Sequence, residues 1–308
     1  MILQDSSGHS RPETITQTFY AFLRTELVNG NSYLDKEEQA RLRTHYPFMM
    51  DPNRYPPELV STIYAYRRAY PVQAILDSKN PLVFDAGYGY GSDSFLFAAL
   101  GAKVLAVDVS TEQIEIAQKR KRYYEETLDR SLDVTFGVAD LNEYTPEGAD
   151  ISLTWLASVL AVIKNQDAFL NRVYQATRAG GKIMIVDFSL WNPLFLWTEW
   201  RRRRRALARS PEFARHADFW AMVRRKKRRG ASFFPQFGGG LFDDVQFFTP
   251  GTLGRLLEQV GFRLLPPGFS GFAPPVLFKG LSAHVEKAFS RVPIVKSLGR
   301  AYLVTGVK

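Results

Sequence analysis

Short apolar runs and helical patterns alternate through residues 81–188, and this alternation restricts the chain to few folds. LVFDA at 82–86, KVLAVDV at 103–109, LDVTFGV at 132–138, DISLTWL at 150–156 and KIMIVDF at 182–188 each read as a buried strand. Helices are expected at 92–100, after a capping pair of Ser110 and Gln113, and at 167–178, where Ala179-Gly180-Gly181 supplies a stop. Strands joined through helices run parallel, because each crossover returns the chain to the same end of the sheet. The expectation is an α/β, doubly wound, mostly parallel sheet covered by helices on both faces. Later strands near 262–265 and 301–307 bring it to seven.

Residues 1–80 read as an N-terminal helical cover. Ile15, Phe19, Leu23 and Leu27 recur at helical spacing before a stop at Asn29-Gly30. Leu59, Ile63 and Tyr64 open another helix, in which Pro71 is expected to introduce a kink. Residues 81–188 form the core, 189–248 interrupt it as a helical cap, and 249–308 resume it with TPGTLGRLLEQVGF. A chain of 308 residues with 45% hydrophobic content is long enough to bury one such core.

The turn DAGYGYG at 85–91 lies between the first strand and its helix, where a doubly wound sheet receives its ligand. Glycine lets the backbone enter conformations closed to other residues and lets a ligand approach the main chain. Asp108, ending the second strand, is placed to accept hydrogen bonds from ribose hydroxyls. Turn and acid together suit either a dinucleotide or another adenosine-bearing cofactor. The dinucleotide pattern G-x-G-x-x-G, counted from Gly87, requires glycine at 92, where Ser92 stands.

The spacing D-x-G-x-G-x-G resembles motif I of the class I methyltransferases that use S-adenosylmethionine (SAM). Further stations in order strengthen the resemblance: Asp108-Val109, Ala139-Asp140-Leu141, Trp155-Leu156-Ala157, DAFLNRVYQATRAGGKIMIVDF and FFTPGTLGRLLEQVGFRLL. It covers roughly residues 81–188 and 247–308, and implies a Rossmann-like methyltransferase fold with SAM as cofactor. It assigns cofactor contacts to Asp85, Gly87, Tyr88, Gly89, Tyr90, Gly91, Asp108, Val109, Asp140, Leu141 and Trp155. The acid at 140 resembles the group that binds the adenine amino nitrogen, and Trp155 the lining of the methionine part. Ala179 replaces the family's usual proline. Tyr88 and Tyr90 stand where small residues are more common; they either contact the cofactor or simply cover the turn.

Methyl transfer demands alignment of two reactants, and a base only where the accepting atom must lose a proton. His216, in the cap, and Asp187, ending the fifth strand, are the candidate catalytic groups. Their bland alternatives are a surface histidine and a helix cap or salt bridge. The chain has no cysteine, which excludes thiolate metal sites and a cysteine nucleophile. The four histidines are scattered without an i,i+4 pair, so no metal is expected. Thr154-Trp155-Leu156-Ala157 stands where amino-methylating DNA enzymes carry Asn-Pro-Pro-Tyr.

The net charge of +9 is local: residues 201–229 hold 13 Lys/Arg against Glu212 and Asp218, and the rest of the chain is close to neutral. Trp191, Trp197, Trp200 and Trp220 lie in or beside this segment. Tryptophan ahead of basic runs is the composition of an interfacial helix, with rings at headgroup level and cations on anionic lipid. Residues 191–229 are therefore expected to meet an anionic membrane surface, and the acceptor to be a hydrophobic small molecule or lipid. The apolar run at 155–163 is too short to span a bilayer. The expected location is the cytoplasm, with peripheral attachment to the cytoplasmic membrane face. Three alternatives remain open: RNA or another polyanion bound through the basic segment, a SAM- or nucleotide-binding module without transferase activity, and an NAD-dependent oxidoreductase, which Ser92 disfavours.

Overall fold

The computed structural model describes residues 11–29, 32–50, 56–146, 148–188, 192, 197, 200, 201, 204, 229–233, 241–246, 248–270, 284, 288, 289, 299 and 301–308. Four helices come first: α1 (Pro12–Asn29), α2 (Lys36–His45), α3 (Pro47–Met50) and α4 (Pro57–Leu76). Ile15, Phe19, Leu23 and Leu27 form the buried stripe of α1, and Pro71 lies inside α4. A capping box between Asp35 and Glu38 starts α2.

The core then alternates as β1 (Leu82–Ala86), α5 (Ser92–Ala99), β2 (Lys103–Asp108), α6 (Thr111–Leu128), β3 (Val134–Val138), β4 (Ile151–Ala157), α7 (Gln166–Ala176) and β5 (Thr177–Phe188). After β6 (Arg229–Phe233) and β7 (Leu241–Gln246) come α8 (Pro250–Val260), β8 (Arg263–Leu264), β9 (Gly268–Ser270) and β10 (Ala301–Val307). The main sheet has eight strands, ordered β3-β2-β1-β4-β5-β10-β8 with β9 also on β10. The first five are mutually parallel, and β10 is antiparallel to β5, β8 and β9. The architecture is the expected mixed α/β, Rossmann-like sheet, with one short strand more than the seven expected.

Period-two alternation divides the core between the two faces of the sheet. Val83 and Met184 join the side chains of α1, α4, α5 and α6, while Phe84 and Ile185 join those of α7 and α8. The N-terminal helices thus cover one face and α7 and α8 the other.

Two local expectations are corrected. The helix before β5 ends at Ala176, and Ala179-Gly180-Gly181 belongs to the strand, where the pairing of β4 with β5 slips between Ile151 and Leu153. Gly180 has φ +74°, and its N–H donates to the Lys308 carbonyl at 2.8 Å. A helix stop and a bulge both call for a left-handed glycine, so their composition is the same. The segment expected as a helical cap also contains an antiparallel hairpin, β6 with β7; its residues 197, 200, 201 and 204 are helical. Among the described residues no helix is long and apolar enough to cross a membrane.

Candidate cofactor site

The strand order reverses between β1 and β4, which opens a crevice at their carboxyl ends. Asp85 and Trp155 are register partners there. The chain leaves β1 through Gly87, Gly89 and Gly91, with φ of +76°, +58° and +78°. Gly87 allows a close approach as well: a Cβ on it would lie 2.3 Å from Cγ2 of Val159. Its N–H donates to the Val107 carbonyl at 2.7 Å, which ties the turn to the end of β2.

Asp108 closes the next corner. Its Oδ2 accepts from the Gly89 N–H and its Oδ1 from the Ser110 N–H, both at 3.0 Å. Ser110 caps α6 by accepting from the Gln113 N–H. Val138 is the register partner of Asp108. Val138 and Val109 are both exposed, at 54% and 70%. Asp140 is exposed beyond them, and its Oδ1 accepts from the backbone and side-chain N–H groups of Asn142. Leu141 is buried on the α7 side of the sheet, and its carbonyl accepts from Arg172.

The inner end of the crevice is polar and buried. Asp85 is buried and its Oδ2 accepts from the Ser94 hydroxyl at 2.5 Å. Burial, with the nearby Asp93 carboxylate, pushes its pKa up to about 8. Trp155 is buried against Phe97 and donates its indole N–H to Asp93 at 2.9 Å. Arg68 grips the same carboxylate through both oxygens. Tyr90 is buried edge-on to His45, and Tyr88 is buried against Phe136. The Tyr88 hydroxyl is buried without a hydrogen-bond partner, and nearby Asp108 and Asp85 reinforce burial in raising its pKa.

A family model described as a methyltransferase domain matches residues 83–181, the span that holds the glycine turn, Asp108, Asp140 and Trp155. Residues 83–181 carry a methyltransferase domain. A solved chain described as a SAM-dependent methyltransferase of Listeria monocytogenes is 17% identical to this methyltransferase. The match covers 78% of this chain and 96% of that one, with a TM-score of 0.51. A counterpart from Mesorhizobium loti matches at 14% identity over 78% and 97% of the two chains, TM-score 0.46. One from Archaeoglobus fulgidus matches at 14% over 94% and 100%, TM-score 0.45. At 17% identity the likeness to the Listeria chain bears on the fold alone. No curated protein matches the methyltransferase.

SAM is the methyl donor that the sequence resemblance implies, and the residues fit it. The glycine cradle admits a ligand against the main chain, Asp108 is an acceptor at its rim, and Val109 and Val138 offer exposed apolar surface beside that acid. The orphaned Tyr88 hydroxyl lies among these groups, where a polar ligand can satisfy it.

Of the two candidate catalytic residues, His216 lies outside the described residues. Asp187, near the end of β5, is buried beside its register partner Tyr302. Its Oδ1 accepts from the Phe188 N–H and its Oδ2 has no hydrogen-bond partner. Burial pushes its pKa up to about 7, against the lowering effect of the Phe188 bond. Sequence reasoning missed His45, Arg68 and Asp93. Asp93 offered a faint signal as an acid in the first turn of α5; Arg68 and His45 approach from distant helices and offered none.

Proposed function

We propose that this methyltransferase moves a methyl group from SAM to a small hydrophobic or lipid-like acceptor at an anionic membrane surface. The observation that carries the acceptor class is the set of helical residues Trp197, Trp200, Arg201 and Arg204. Trp197 is 48% exposed, with the Arg201 guanidinium 4.7 Å from its ring centre. Arg204 lies over Trp200 at 5.5 Å. The spacing 197, 200, 201 and 204 puts all four on one helical face. An exposed aromatic ring with paired cations suits a bilayer headgroup region, and the basic composition of residues 201–229 extends that character.

When bound, SAM supplies a methyl carbon activated by an adjacent sulfonium. Asp108 would hold the ribose hydroxyls, Val109 and Val138 would flank the adenine, and Asp140 would take its amino group. The glycine turn and Tyr88 would border the methionine part. These groups do the work of alignment, the main demand of an in-line displacement. Asp187 is the carboxylate on the far side of β4 from the turn. Near neutral pH it can take a proton from an acceptor atom that must lose one.

Flotation with anionic vesicles at low and high salt tests the surface. Binding that weakens with salt and with Trp197→Ala is expected; failure to bind such vesicles overturns the membrane reading. Lipid extracts incubated with the protein and methyl-labelled SAM test the acceptor by mass spectrometry. A labelled lipid is expected; label in tRNA and in no lipid moves the acceptor to the polyanion class.

A further inference from the structure

Glu26 and Arg120 belong to α1 and α6, and both side chains are fully buried. Arg120 Nε and Nη2 donate to the two carboxylate oxygens of Glu26 at 2.7 and 2.8 Å. Tyr33 and Tyr124 donate to the same carboxylate. Burial alone would raise the Glu26 pKa, but Arg120 and these hydroxyls outweigh it and hold the carboxylate ionised. A sealed ion pair gives little net stability over an apolar pair of the same shape, so its presence calls for another reason.

The other nitrogen of the guanidinium supplies one. Arg120 Nη1 donates to the Tyr90 carbonyl at 2.5 Å and to the Ser92 hydroxyl at 3.1 Å. Tyr90 lies within the glycine turn and Ser92 opens α5. Tyr46, just after α2, has its hydroxyl 2.6 Å from the same Ser92 oxygen. The N-terminal cover therefore meets the turn at several points. At one of them His45 sits over the backbone: a Cβ on Gly89 would lie 3.6 Å from its Cε1 and 3.7 Å from its Nε2. Lys119, one residue before Arg120, bonds Glu38 of α2 at 2.5 Å and holds that helix against α6.

We propose that Arg120 is a positioning residue for the cofactor site, fixing the Tyr90 carbonyl and, through Glu26, coupling the N-terminal cover to the turn so that His45 closes over the bound cofactor. The cover is then part of the cofactor site as well as a wall of the fold. This rests on the reading of the turn as a SAM site.

The test uses the full chain and S-adenosylhomocysteine as probe. Arg120→Lys keeps a cation beside Glu26 but cannot reach both Glu26 and the Tyr90 carbonyl. The expected result is an affinity for the probe weakened about tenfold, as for the loss of one charge-assisted hydrogen bond. KM for SAM should rise with it while kcat changes little. Amide exchange at residues 89–92 should quicken in the ligand-free protein. Ser92→Ala is the milder variant if Arg120→Lys does not fold, and should move the same readouts by about threefold. His45→Ala should weaken probe binding without quickening exchange at the turn. A lowered melting temperature with wild-type affinity and wild-type exchange would give Arg120 a structural role only and overturn the proposal. Unchanged affinity in His45→Ala overturns the closure by His45. If the wild type binds no probe, the SAM reading fails, and the exchange comparison still decides whether Arg120 fixes the turn.

Discussion

The indole nitrogen of Trp155 lies 2.9 Å from Oδ2 of Asp93, an oxygen that Arg68 also holds, at 3.0 Å. One carboxylate thus joins β4, α5 and α4 at the inner end of the crevice. Arg68 is 17% and Asp93 12% exposed, so the pair is largely desolvated. Asp93→Asn should destabilise the fold by about 3 kcal/mol, because it leaves a buried guanidinium without its counter-charge. Trp155→Phe should cost less, about 1–2 kcal/mol, since Arg68 still satisfies the carboxylate. Urea unfolding of the two variants checks the order, and equal losses would contradict it.

Gly87→Ala should damage the turn in two separable ways. The φ of +76° strains any residue with a Cβ, and that Cβ would meet Val159 at 2.3 Å. A loss of about 2–3 kcal/mol is expected from strain and overlap together. Adding Val159→Ala should restore only the part due to overlap. Full recovery in the double variant would show that the backbone tolerates the alanine.

Asp108→Asn removes the charge that holds the Gly89 and Ser110 N–H groups at the rim of the cradle. Binding of S-adenosylhomocysteine should weaken by about 10–100-fold, as for a polar group that discriminates a ligand hydroxyl. Titration calorimetry measures it, and wild-type affinity in the variant would remove Asp108 from the site.

Asp187 makes stability depend on pH with a definite sign. Its pKa is raised in the fold to about 7, so the folded chain binds the proton more tightly than the unfolded one. That contribution is fully present below the unfolded pKa and is lost as pH rises through about 7. Asp187→Asn lacks the loss and should gain on the wild type by about 1–3 kcal/mol between pH about 4 and about 8. Thermal melts across that window check it, and parallel curves for the two proteins would mean that Asp187 titrates normally.

The turn was legible in the sequence because its requirement is local. Gly87, Gly89 and Gly91 all adopt positive φ, and the residues that tolerate that geometry are few. The parallel strands were legible for the same reason, through short apolar runs between helical ones. Ala179-Gly180-Gly181 was misread because a helix stop and a strand bulge draw on one residue type. Glu26 and Arg120 left no trace, being 94 positions apart with no periodicity to link them. The antiparallel addition of β10 was equally hidden: AYLVTGV reads as a buried strand in either direction, and only the pairing of Leu303 with Val186 settles which.

The placement of Trp155 also gives the molecule a division of optical labour. It is the one tryptophan in the methyltransferase core, buried to 1% exposure, and the other four lie at 191, 197, 200 and 220. Light absorbed in the core and light absorbed in the insertion therefore return from unlike surroundings, one buried and tied to a carboxylate, the other including the exposed ring of Trp197. A soluble quencher reaches the second population first. With Trp155→Phe the remaining emission reports the insertion alone, and brominated vesicles added to that variant darken it only where the insertion meets lipid.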